Sequence, residues 1–73
     1  MGREKQAIRR QLTICETGIA KLEAECAHLD ALMEEVACDA AKLNEVYKQK
    51  QDAEERLMAE MSRWEELSLQ LEE

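Results

Sequence analysis

Apolar residues recur along the first half of the chain at Ile8, Leu12, Cys15, Ile19, Leu22, Cys26, Leu29, Met33 and Val36. The steps alternate four and three without a break. This is a heptad seam, one apolar stripe on one helix face. It resumes as Ala40, Leu43 and Tyr47, falters at Lys50 and Glu54, and recovers at Leu57, Met61, Trp64 and Leu71. Val46 and Ala53 offer a shifted seam through the gap, so the pattern allows a local stutter.

Two all-α architectures share this pattern. One is a single helix of about 105 Å, dimerised along its length. The other is an antiparallel coiled-coil hairpin of two helices of about 50 Å each. Asp39 is the best interior helix start, since its carboxylate can accept a bond from a free amide of the following turn. Glu34 and Glu35 suit a helix C-terminus poorly and argue mildly against a stop there. Gly18, the one glycine beyond the terminus, lies inside the first seam and not at a turn.

Folding the chain about residue 36 pairs Leu29 with Leu43, Cys26 with Val46, Ile19 with Ala53, Cys15 with Leu57 and Ile8 with Trp64. The flanking charges then match as Asp30–Lys42 and Glu16–Arg56, while Arg9 meets Arg63. A register a few residues off, pairing Leu32 with Leu43 and Leu22 with Ala53, also satisfies the seam. The reading favours one hairpin domain over residues 1–73, with helices at about 3–34 and 39–71 and a turn at about 35–38. In this arrangement Trp64 closes the open base over Ile8 and Leu12, a packing role.

Composition supports long helices over a globular core: 37% of residues are charged, 3% are aromatic and Pro is absent. The net charge is −7, yet residues 1–10 carry four bases and one acid, against six bases and sixteen acids beyond them. An odd set of cysteines, Cys15, Cys26 and Cys38, fits thiols kept reduced in a cytoplasmic setting. No targeting segment is visible at the start, and no apolar run approaches the ~18 residues that would span a membrane.

Catalytic chemistry finds no foothold. Gly2 and Gly18 are the only glycines, and no phosphate-cradling glycine loop exists, so this chain is not expected to hydrolyse ATP. Cys26 and His28 sit two apart, on nearly opposite sides of a helix, and cannot share a metal. One His and scattered Ser and Thr offer no oriented base. The basic residues carry the functional content. Arg3, Lys5, Arg9 and Arg10 cluster at the base with Arg63, while Lys42, Gln49, Arg56 and Arg63 recur every seven residues beside the seam. Such cations either bridge the helices or contact phosphates. No aromatic is read as interleaved with these bases for stacking, so phosphate contact would ignore base sequence. The exposed apolar residues Ile14, Met58 and Leu69 lie off the seam and suit the alternative, a structural coiled coil that dimerises or binds protein.

Two motifs carry a family resemblance: "DAAKLNEV" at Asp39–Val46 and "RWEEL" at Arg63–Leu67. Their order and spacing resemble the C-terminal coiled-coil hairpin of ABC-F ATPases, although this chain has "VACD" where that family often places a proline at the tip. The resemblance implies an accessory domain of a cytoplasmic ATPase acting on ribosomes, as a translation or antibiotic-resistance factor. It implies parent ATP-binding cassettes, which would hold ATP and Mg²⁺, and contact with rRNA or DNA.

Overall fold

A computed structural model describes residues 2–72. It contains two helices, α1 at Gly2–Glu35 and α2 at Ala40–Glu72, packed antiparallel as a hairpin. The rod measures 57 × 14 × 12 Å, about half the length that one continuous helix would need.

The reversal uses residues 36–39 and no left-handed backbone: no described residue has a positive φ. The Val36 amide closes the last turn of α1 on the Leu32 carbonyl at 3.0 Å, and the Asp39 amide bonds back to the Val36 carbonyl at 2.9 Å. Asp39 then caps α2. Its carboxylate accepts from the Lys42 amide at 3.2 Å, and its carbonyl accepts from the Leu43 amide at 2.8 Å. α1 stops at Glu35 with no basic residue in its last turn. An unfavourable dipole at an exposed end costs only ~0.3–1 kcal/mol, less than the cap and the interhelical seam return together.

The α1 seam runs as its pattern predicts. Cys15 and Leu29 are buried, and Ile8, Leu12, Ile19, Leu22, Cys26, Met33 and Val36 are half-buried. The α2 seam differs. It runs Leu43, Val46, Lys50, Ala53, Leu57, Glu60, Trp64, Leu67 and Leu71 in unbroken steps of three and four, with no stutter. Ala53 and Leu67 are the buried members. Ala40 is exposed, and Tyr47 and Met61, read as seam residues from the pattern, are 48% and 41% exposed. Two polar side chains take seam positions instead, and each has a partner on α1. Lys50 pairs with Asp30. The Glu60 carboxylate and carbonyl oxygens lie 3.1 and 3.0 Å from the Cys15 sulfur and share its proton.

These contacts correct the favoured register and agree with the alternative that pairs Leu32 with Leu43 and Leu22 with Ala53. Cys15 faces Glu60, three residues beyond Leu57. Asp30 pairs with Lys50 and not with Lys42. Glu16 receives the Trp64 indole N–H at 3.1 Å in place of Arg56, which turns to Asp52 on its own helix at 3.1 Å. Carried along the rod, this register sets Leu22 opposite Ala53, Leu32 opposite Leu43, and Ile8 opposite Leu67. The cause is the turn. With α2 starting at Ala40, the chain reverses about residues 37 and 38, and every layer shifts with it. Trp64 therefore lies one layer inside the base, 37% exposed along the edge of the seam. Leu67, 6% exposed, is the side chain buried at the base.

Candidate nucleic-acid interface at the base of the hairpin

Arg3, Lys5, Arg9 and Arg10 all lie on the first three turns of α1, and all are exposed. Arg3, Gln6, Ala7 and Arg10 border one shallow groove. Their 3–4–7 spacing places them on one stripe, turned away from the α2 seam. Arg63 reaches the same end from α2, beside Gln11 and Ile14. Among the described residues, none of Arg3, Lys5, Arg9, Arg10, Lys42 and Arg63 has a carboxylate within ion-pair distance.

The heptad stripe divides. Arg56 is held by Asp52, and Lys42 is exposed beside the α2 cap. The cation that bridges the helices is Lys50, which lies outside the stripe and also approaches Glu54 at 3.7 Å. Its hydrogen bond to Asp30 holds the Lys50 ammonium above its ordinary pKa, with the neighbouring charges of Asp30 and Glu54 adding to the effect and burial opposing it. The signal for Lys50 was present in the sequence as a polar interruption of the seam, four residues from the acidic Glu54.

The helix dipole does not explain the base cluster. A helix N-terminus favours acids, and α1 carries one, Glu4, in its first turn. Four bases around that end oppose the α1 dipole and repel one another, while the C-terminal turns of α2, with Glu65, Glu66 and Glu72, lie at the same end. Among the described residues the bases form no ion pair with them, and their exposed heads are available to an external anion.

The thiols divide between the seam and the tip. Cys15 is 2% exposed, and its pKa is raised, first by burial and then by the Glu60 carboxylate, so the thiol stays protonated at neutral pH. Cys26 is half-buried and Cys38 exposed at the tip. Among the described residues no three His, Cys, Asp or Glu side chains converge as a metal site, and no helix is long and apolar enough to cross a membrane.

No curated protein and no solved structure matches the chain. A family model does, along nearly the whole hairpin. With the seam, the Asp39 cap and the tryptophan-bearing close of α2 all inside residues 3–69, the stretch that the ABC transporter C-terminal domain model matches, the chain belongs to that family and is an accessory domain of an ABC protein.

Proposed function

We propose that this hairpin is the C-terminal coiled coil of an ABC-F ATPase, and that it helps its parent dock on the ribosome or another nucleic acid through a basic patch without base specificity. The observation that carries the proposal is the gathering of Arg3, Lys5, Arg9, Arg10 and Arg63 at one end with no carboxylate partner among the described residues. Membership of an ABC C-terminal family supports the link to parent cassettes, and the two motifs at Asp39–Val46 and Arg63–Leu67 support the ABC-F assignment.

In this reading the cassettes hold ATP and Mg²⁺ and perform the hydrolysis, in the cytoplasm, while the hairpin supplies binding energy. Long cations at the base displace counterions from phosphates. Recognition by base stacking is not available to Trp64, whose N–H is tied to Glu16 and whose ring edges the seam. The acidic tip, with Asp30, Glu34, Glu35 and Asp39, turns phosphate away.

Changing Arg9, Arg10 and Arg63 together to Gln tests this. Binding to rRNA fragments and to duplex DNA should weaken, and the salt slope on duplex DNA should flatten by up to about three, one counterion for each lost phosphate contact. Sequence preference should not change. Helicity should be retained, because these side chains form no ion pair among the described residues. Unchanged binding by the triple variant, or no salt-dependent binding by the wild type, would overturn the proposal and leave a protein-binding coiled coil.

A further inference from the structure

The two sides of the interhelical seam differ in charge. Gly18, Lys21, Arg56, Ala59 and Arg63 border one side, and three of them are bases. The other side is marked by the Trp64–Glu16 hydrogen bond and the Lys50–Asp30 pair. Glu16 and Gly18 stand two residues apart on α1, so they flank the seam on opposite sides. Midway between the two contacts Glu23 stands level with Leu57, with Glu54 and Met61 on either side of it. Among the described residues Glu16, Glu23 and Glu65 have no cation within ion-pair distance.

On this acidic side α2 leaves apolar surface uncovered. Tyr47, Met58 and Met61 are 48%, 69% and 41% exposed, and Trp64 beside them is 37% exposed. Tyr47, Gln51, Glu54, Met58, Met61 and Glu65 follow one another in steps of four and three, a continuous stripe about 27 Å long. The α1 wall runs Glu16, Ala20, Glu23, Ala27 and Asp30 in the same steps. Ala20 and Ala27 are exposed, and their short side chains leave room for another helix to approach closely.

We propose that this side of the hairpin docks a cationic amphipathic helix of a partner protein, laid along the groove as a third helix of the coil. Its apolar stripe would cover Tyr47, Met58 and Met61, and its lysines or arginines would meet Glu16, Glu23, Glu54 and Glu65. Charge complementarity selects this occupant. Flanking positions of paired helices ordinarily carry opposite charges that bridge them. Here Glu16, Glu23 and Asp30 on α1 face Glu54 and Glu65 on α2, and only Lys50, from within the seam, offsets them. A partner's cations offset the rest. The same acids repel nucleic acid, an anionic membrane and a second copy of this face. The exposed methionines are flexible and adapt to the shape of what covers them. One helix in one groove falls at the small end of specific interfaces, below about 1,200 Å² in total, so the contact is weak and reversible. It uses the side of the rod away from Arg56 and Arg63, and stands or falls independently of phosphate docking.

A synthetic helix of about 18 residues, with leucines at i, i+3, i+4 and i+7 and lysines elsewhere, is the probe; a glutamate-for-lysine version is its control. Trp64 emission reads binding to the 73-residue chain. The cationic peptide should bind at about 10–100 μM and more weakly as salt rises, and the acidic one should not bind. Met58→Ser with Met61→Ser should weaken binding at least about tenfold, and Glu23→Gln with Glu54→Gln at least about fivefold. Glu25→Gln with Glu45→Gln removes equal charge from the opposite side, one and two heptads from Gly18 and Ala59, and should change affinity less than about twofold. All six positions are exposed, so helicity should persist in each variant. The methyl NMR signals of Met58 and Met61 should move with peptide and not with the chain's own concentration. No binding at about 1 mM cationic peptide, equal binding of the acidic peptide, or equal loss in the Glu25/Glu45 variant would each overturn the proposal. Methyl signals that move with the chain's own concentration would also overturn it, and would assign the face to a second copy.

Discussion

Gly18→Ala should stabilise the hairpin. Gly18 lies in the interior of α1 with no positive φ, so no backbone requirement demands glycine there. A Cβ built on it meets only the Glu60 carboxylate, at 3.7 Å from Oε2 and 3.8 Å from the carboxyl carbon, which is ordinary van der Waals contact. Glycine in a helix interior costs about 1 kcal/mol against alanine, chiefly through the entropy of the unfolded chain. With no steric charge against it, the full gain of about 1 kcal/mol should appear, worth roughly 4–8 °C in melting temperature for a domain of this size. Thermal melts followed by far-ultraviolet circular dichroism, at one fixed low concentration, read it directly. Gly18→Leu provides the contrast. Its longer side chain reaches the space where Glu60 sits and pushes the carboxylate off the Cys15 thiol, an overpacking cost of about 1–3 kcal/mol. An alanine variant that melts at or below the wild-type temperature would refute the reasoning, and would mean that the seat of Glu60 needs the empty space.

Other outcomes follow from the same geometry. Leu67→Ala should cost about 2–5 kcal/mol and Trp64→Ala less, about 1–2 kcal/mol, since Leu67 is buried and Trp64 is not; urea midpoints would give the order. Asp39→Ala removes the cap on α2 and should cost about 1 kcal/mol, with hydrogen exchange rising first at the Lys42 amide. Stability should fall on the alkaline side. The folded-state pKa values of Cys15 and Lys50 are both raised, so their contributions are complete below their ordinary values of 9.0 and 10.5 and are lost as pH climbs through the folded values. Urea titrations across that range should show the decline, and Cys15→Ala should remove the part that begins near pH 9.0.

The all-α hairpin and the α1 seam were legible because every seam position from Ile8 to Val36 is apolar, and a period of 3.5 has one structural meaning. The Asp39 cap was legible because its chemistry is local. The α2 seam was not. Lys50 and Glu60 break the apolar pattern, and Tyr47 and Met61 imitate it from one residue away. Only packing shows that Lys50 is held by Asp30 and Glu60 by Cys15, each polar group being tolerated where a partner on α1 satisfies it. The bases at the end of the chain could be counted in the sequence, but their lack of carboxylate partners among the described residues depends on which layers the fold sets together. Register lay beyond the sequence for a general reason. A seam that repeats every seven residues in steps of three and four matches an opposing seam almost as well after a shift of three or four. The choice among those registers is made where the chain turns, by four residues and the cap that starts α2.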